Sequence, residues 1–314
     1  MGEGNRPPIE DVERFLCQHH GASIGGLAPV GGGYWSSAYT YTCGTDDLVL
    51  RLANDTEGFE MDRVAWGFQR PDLPIPEVLA IGAAFDGAFA ISRRSFGRFL
   101  EDVGPDERVG RLLDGLLGAL RQVPAGDRVD WFCRESPVAT TWRRWLERAM
   151  VDDPTQTVSG WRERLAADRE LDRLFTTTVE RIEELLPQCP ERRDLVHGDL
   201  LHQNVLVADD ASRVNAVFSW KCSVLGDFLY DVAWCTFWGP WHPGIAAADP
   251  WSRTLDTDLD TDSLAAGALR HHCYELHIGL QHLAWQAWTG NRAELRAVAD
   301  RTSAVMEVGP LPQG

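Results

Sequence analysis

Residues 195–221 constrain this chain more than any other stretch. A strand leads into His197-Gly198-Asp199, and after Leu200-Leu201-His202-Gln203 come Asn204 and the apolar run Val205-Leu206-Val207. The loop presents one aspartate, and an asparagine follows five positions on. In such a frame the aspartate takes a proton from an attacking hydroxyl, and the asparagine helps to hold magnesium. The next strand should then deliver a second metal ligand, an aspartate. It reads Ala216-Val217-Phe218-Ser219-Trp220-Lys221, with serine in that place and lysine two positions further on. The frame is there and one ligand is missing.

At 314 residues, the chain has room for about two domains, or for one domain with a large second lobe. A formal net charge of -17 argues against nucleic acid or an anionic membrane as partner. An acidic cleft suits a polycationic substrate, although acidity also serves solubility. Seven cysteines are scattered without a CxxC pair, which implies no disulfide framework or zinc ribbon and points to reduced thiols. The segment Met1 to Arg14 is polar, and no apolar run is long enough to span a membrane, so a cytoplasmic protein is expected. Of thirteen tryptophans, most fall between residues 131 and 288. That density fits an aromatic-walled pocket for a small molecule, with ordinary core packing as the plainer explanation.

Apolar spacing predicts a short helix over Glu10–Cys17 and a strand over Leu48–Leu52. Glu57–Phe68 reads as helical, and Pro74–Leu79 and Ala88–Ser92 as strands, which gives a β-rich first lobe with one helix following its sheet. Arg93-Arg94-Ser95-Phe96-Gly97 reads as the connection. Helical stripes then dominate: Leu112, Leu113, Leu116, Leu117 and Leu120, and later Leu171, Leu174, Phe175, Val179, Ile182, Leu185 and Leu186. Trp241–Asp262, rich in Pro, Gly and Asp, reads as loop, and His271–Trp288 as helix. The expected fold class is α+β in two lobes: a β-rich N-terminal lobe over 1–94 and a mainly helical lobe over 95–314, with a β-loop-β insert at about 195–220.

Several motifs carry less. Gly31-Gly32-Gly33 could let backbone N–H groups approach phosphate, but Tyr34-Trp35 follows at once. Arg51 closes a strand where a basic residue could pair with nucleotide phosphates; Glu57, Glu60 or Asp62 is its candidate carboxylate, and a plain surface ion pair is the alternative. Gly21-Ala22-Ser23-Ile24-Gly25 matches a nucleophile elbow in spelling only, because it follows a helix. Asp256-Thr257-Asp258-Leu259-Asp260 lacks the glycine and glutamate of a calcium loop. His271 and Glu275 lie one helical turn apart, and two ligands do not make a zinc site.

His197-Gly198-Asp199, Asn204-Val205-Leu206, Gly226-Asp227 and Tyr230-Asp231-Val232-Ala233 together resemble the aminoglycoside phosphotransferases, and within them the hygromycin B phosphotransferases. Leu50-Arg51, Leu73–Leu79, Ile91–Arg94 and Ile278-Gly279-Leu280 extend the resemblance over most of the chain. It implies a two-lobed protein-kinase-like fold, with ATP between the lobes and substrate held by the helical lobe. Members of that family carry aspartate where Ser219 stands, and hygromycin-type enzymes carry an acidic residue where Gln281 stands.

From these residues the expected site has Asp199, His197 and Lys221 as acid and base groups. Trp35, His202, Trp238, Trp241, Gln281, Trp285 and Trp288 are expected to hold substrate. Arg51, Asn204 and Ser219 are read as a vestigial nucleotide and metal site. The leading expectation is an enzyme of natural-product biosynthesis that uses no cofactor and no metal, carrying out dehydration and conjugate addition or cyclisation of a large, mostly apolar hydroxylated compound. The alternatives are an antibiotic O-phosphotransferase using ATP and magnesium, and a non-catalytic binding protein.

Overall fold

We describe the chain from a computed structural model, which covers residues 7–31, 36–124, 141–258 and 264–310. It divides into two units: residues 1–99 with 203–222, and residues 100–202 with 223–314.

The first unit opens with helix α1 (Ile9–His20) and an antiparallel sheet of β1 (Gly25–Val30), β2 (Ser36–Cys43), β3 (Asp46–Ala53), β4 (Val78–Ala84) and β5 (Gly87–Arg93). Helix α2 (Glu57–Ala65) lies between β3 and β4 in sequence, and the sheet order is β1-β2-β3-β5-β4. Gly21 ends α1 in a left-handed conformation, which an L side chain adopts only with strain. The two-residue period of β3 sorts its side chains. Leu48, Leu50 and Leu52 join Val12 and Leu16 of α1, with Tyr39, Tyr41, Phe89 and Ile91, in one buried cluster. On the alternate register Arg51 meets α2, whose Phe59 packs on Ala88 and Ala90.

Two expectations change here. Pro74, Ile75 and Pro76 precede the strand, which starts only at Val78. Two prolines in three residues cannot donate to a ladder. The helix expected to reach Phe68 tightens into a 3-10 turn at Trp66–Phe68. The β4–β5 hairpin turns through Phe85 and Asp86, both at positive φ, as a tight two-residue turn requires.

β6 (Arg98–Phe99) leads out of this sheet, and the chain enters the second unit through α3 (Glu107–Arg121), α4 (Trp142–Arg148), α5 (Trp161–Ala166) and α6 (Arg169–Leu185). Asp106 caps α3 by accepting from Arg108 N–H at 2.8 Å, and Asp168 caps α6. Strand β7 (Asp194–Val196) ends at the His197 loop. β8 (Val205–Val207) and β9 (Val214–Val217) follow and pair in the order β6-β8-β9, so residues 203–222 cluster with the first unit. β10 (Val224–Gly226) returns to pair with β7.

The second unit continues with α7 (Leu229–Trp238), α8 (Pro243–Ala248), α9 (Pro250–Asp258), α10 (Leu264–Thr289) and α11 (Arg292–Val308). Residues 243–258, expected as loop, form two short helices. Pro243 and Pro250 each occupy a first helical position, where the missing N–H costs nothing. α10 packs against α5, α6, α7 and α11, and every residue from His271 to Leu280 is buried. A helix apolar or paired on all sides is the expected centre of a helical lobe. Among the described residues no helix is long and apolar enough to cross a membrane.

Candidate active site

In the second unit the loop after β7 is pinned from beneath. Asp231, in the first turn of α7 and 2% exposed, accepts N–H bonds from His197 and Gly198, each at 2.8 Å. Burial pushes the Asp231 carboxyl up to about 7; the two amide bonds oppose that shift and the charge of Asp199 adds to it. His197 is fully buried, and its Nδ1 accepts from the Asp199 N–H at 3.2 Å. It therefore shapes the loop from inside the unit.

Asp199 is thus presented with its side chain 22% exposed. Its Oδ1 lies 2.8 Å from Nδ1 of His202. Desolvation pulls the His202 imidazole down, but the hydrogen bond and charge of Asp199, with Glu101 and Glu294 beyond, outweigh it, so its pKa is raised. His202 and Gln203 both sit at positive φ, a conformation that costs a non-glycine residue about 1–3 kcal/mol and is concentrated at working sites.

An aromatic wall adjoins this pair. The His202 ring lies edge-on to Trp238 at 4.8 Å and to Trp234 at 5.7 Å, with His282 at 4.7 Å from Trp238. Trp241 follows at 5.1 Å from Trp238 and is 38% exposed. The indole N–H groups of Trp234 and Trp238 are buried without an acceptor among the described residues. Gln281 has its carbonyl engaged by Tyr230 Oη–H at 3.0 Å. Trp285 packs on Trp288 at 5.2 Å further along α10. Trp35 lies outside the described residues.

In the first unit Arg51 selects Asp62 from the three candidate carboxylates, at 2.5 Å, with side chains 20% and 6% exposed. The Arg51 guanidinium also lies over the Phe59 ring. The other oxygen of Asp62 accepts from Trp220 N–H at 2.8 Å. One carboxylate therefore ties β3, α2 and the turn after β9 together, a more buried arrangement than a surface ion pair. Lys221 reaches Glu57 at 3.2 Å. Asn204 is buried, and its carbonyl accepts from Phe218 N–H. Ser219 is off the strand, at a φ of 70°.

A phosphoryl-transfer site holds magnesium on an asparagine and a following aspartate. Asn204 and Ser219 offer one amide oxygen and one hydroxyl, both neutral, and Lys221 adds a cation two residues on. Magnesium is a hard cation that binds through one or two carboxylates. Among the described residues no group of three or more His, Cys, Asp or Glu could hold a metal ion. The donor set does not fit the two-ligand magnesium site.

Sequence reading left Asp62 as one of three candidates and missed Asp231, Trp234 and His282 as site residues. Asp231 had a visible signal: a carboxylate inside Leu229-Tyr230-Asp231-Val232-Ala233 must find partners when buried.

Comparison with known proteins bears on this geometry. A family described as "Phosphotransferase enzyme family" matches residues 26–270. Hygromycin-B 4-O-kinase of Escherichia coli is 30% identical over 309 residues, 95% of this chain and 85% of that protein. A thermostable mutant of aminoglycoside phosphotransferase APH(4)-Ia, in ternary complex with AMP-PNP and hygromycin B, is similar with a TM-score of 0.78 and 27% identity, over 95% of this chain and 98% of that one. Another mutant of that enzyme, with ADP and hygromycin B, matches with a TM-score of 0.79 and 26% identity, over 96% of this chain and 100% of that one. The fold is the aminoglycoside phosphotransferase kinase-like fold. These matches overturn the expectation of a chain that uses no cofactor, because the relatives were solved with AMP-PNP or ADP. Nothing in the fold or in these relatives supports dehydration or cyclisation.

Proposed function

This chain belongs to the phosphotransferase enzyme family, and on that premise we propose that it transfers a phosphoryl group from ATP to a hydroxyl of a small aminoglycoside-like antibiotic. The observation that carries the reading is the Asp199 loop: a partly exposed carboxylate on a strand-end turn, fixed by His197 from inside and by Asp231 from below.

Asp199 is the base in this reading. A substrate hydroxyl within hydrogen-bond reach of its carboxylate gives up its proton as the hydroxyl oxygen attacks phosphorus, and a positioned general base contributes ~10²–10⁴-fold. His202, held 2.8 Å away, fixes the carboxylate's orientation. Trp241, 38% exposed and backed by Trp238, offers flat apolar surface to sugar rings. The overall charge of -17 favours approach of a polycationic substrate. Gln281, Trp285 and Trp288 are assigned to the outer substrate wall. Lys221, bound to Glu57, is assigned to bracing the Ser219 turn.

On the nucleotide side, the Arg51–Asp62 pair is assigned the place that a lysine–glutamate pair holds in protein kinases. With serine at 219, this turn offers a magnesium ion a neutral hydroxyl in place of a carboxylate, and the roles assigned here are those of the chain's own residues.

The test is direct. Purified protein, ATP and hygromycin B, with other aminocyclitol antibiotics in parallel, are assayed for ADP release and for a phosphorylated product by mass spectrometry. Transfer to at least one antibiotic, abolished by Asp199→Asn, is the expected result. No transfer to any of them, together with no stabilisation by ATP in a thermal scan, would reject the reading.

A further inference from the structure

The face of α7 turned away from Trp234 and Trp238 borders a cavity of about 330 Å³ in the second unit, lined among others by Thr236, Ile245, Asp249, Trp251, Glu275 and Arg301. We propose that this cavity is a second small-molecule site, separate from the Asp199 loop, that takes a compact organic amine with an apolar body.

Pockets of this size that bind ligands have mostly apolar walls and a few convergent polar groups. Pro240, Ile245, Pro250 and Val305 supply the apolar wall. The polar groups are incomplete in one direction. Glu275, 4% exposed, accepts through Oε1 from Thr236 Oγ1–H at 3.1 Å and from Arg301 Nη2–H at 3.0 Å. Its Oε2 faces only Nδ1 of His271, at 3.5 Å. His271 is fully buried, and its Nε2 is 2.9 Å from Thr236 Oγ1, while Nδ1 has no hydrogen-bond partner. Burial first, then His272 and Arg301, push this imidazole down to about 3, so it is neutral. The 3.5 Å contact with Nδ1 is not a hydrogen bond, so Oε2 has no hydrogen-bond donor among the described residues.

Trp251 supplies the second, independent observation. It is 3% exposed, its ring lies 4.4 Å from that of His271, and it lines the cavity together with Glu275. A carboxylate oxygen short of a donor beside an indole ring is the chemistry that recognises an ammonium: an ion-paired hydrogen bond on one side and the negative face of the ring on the other. Charge agrees. Glu275 and Asp249 line the cavity against one guanidinium, and Arg301 is already spent on the carbonyls of Phe237 and Thr236, each at 3.0 Å, and on Glu275.

Cyclohexylamine, cyclohexanol and cyclohexanecarboxylate share one ring and differ in head group. They are titrated into the full-length protein at about pH 8.5, above the value of about 7 to which burial pushes the Glu275 carboxyl, with tryptophan fluorescence and ligand-observed NMR as readouts. The amine should saturate at millimolar concentration, the alcohol should bind at least about tenfold more weakly, and the carboxylate should not bind. Glu275→Gln should lower amine affinity about tenfold and leave the alcohol unchanged. Ala246→Trp, at an exposed position on the wall, should exclude both and keeps the test open if the Glu275 variant fails to fold. Asp199→Asn should leave amine affinity unchanged, which separates this site from the catalytic loop. Equal binding of all three probes, no binding of the amine, or amine binding that survives Ala246→Trp would overturn the proposal.

Discussion

Oδ1 of Asp199 stands 2.8 Å from Nδ1 of His202, and this contact holds the carboxylate in one orientation. A base needs charge as well as position. Asp199→Asn keeps the shape and removes the basicity, so turnover should fall by ~10²–10⁴-fold with KM nearly unchanged. Steady-state kinetics on whichever antibiotic is phosphorylated checks this. Full turnover in the variant would place the base elsewhere.

The same contact makes a pH prediction. The His202 pKa is raised in the folded protein, so the stability from its pairing with Asp199 is fully present below the unfolded histidine value and lost as pH rises through the folded one. The melting temperature of the protein minus that of His202→Gln should therefore shrink from acid towards mild alkali. His202 is 38% exposed, so the difference should also diminish with added salt. A difference independent of pH would mean that the imidazole is not paired as described.

Asp231 tests the support beneath the loop. Its removal in Asp231→Ala leaves the N–H groups of His197 and Gly198 without their acceptor, at about 1–3 kcal/mol for each buried donor. Chemical denaturation should show that loss, and turnover should fall although Asp231 touches no substrate in the proposed scheme. The Asp231 carboxyl, pushed up to about 7, favours folding most when protonated. Its contribution relative to Asp231→Asn should decline as pH rises from the ordinary carboxylate range through about 7. An unaltered midpoint in the alanine variant would contradict the clamp.

Much of this was legible in the chain. The two-residue period of Leu48, Leu50 and Leu52 already placed Arg51 on the opposite face of its strand, and the spacing from Asp199 to Asn204 already implied a loop between strands. Helical phase could also have chosen among the carboxylates: Asp62 lies three residues after Phe59, on the face packed to the sheet, and Glu60 does not. Other features depend on distance in sequence. Asp231 meets a loop 33 and 34 residues away, and no local pattern reports that pairing. The helices over 243–258 were hidden because proline reads as a breaker until its place at a first helical turn is known.

Ser219 offers the sharpest test of how the nucleotide side works. At a φ of 70° it holds a left-handed conformation that aspartate tolerates better than serine, so Ser219→Asp should fold with stability within a few tenths of a kcal/mol of the parent. It restores a carboxylate opposite Asn204's end of the hairpin, where magnesium prefers charged oxygen. ATP affinity should then rise about tenfold in the presence of magnesium, or ~1.4 kcal/mol, and should change little in EDTA. Lys221 opposes this gain through its charge, although Glu57 at 3.2 Å neutralises part of it. Adding Lys221→Ala to Ser219→Asp should therefore increase the magnesium dependence further. Isothermal titration with and without magnesium decides the matter. If Ser219→Asp gains nothing, the turn does not face the nucleotide's metal, and the missing carboxylate is not what sets this chain apart from its relatives.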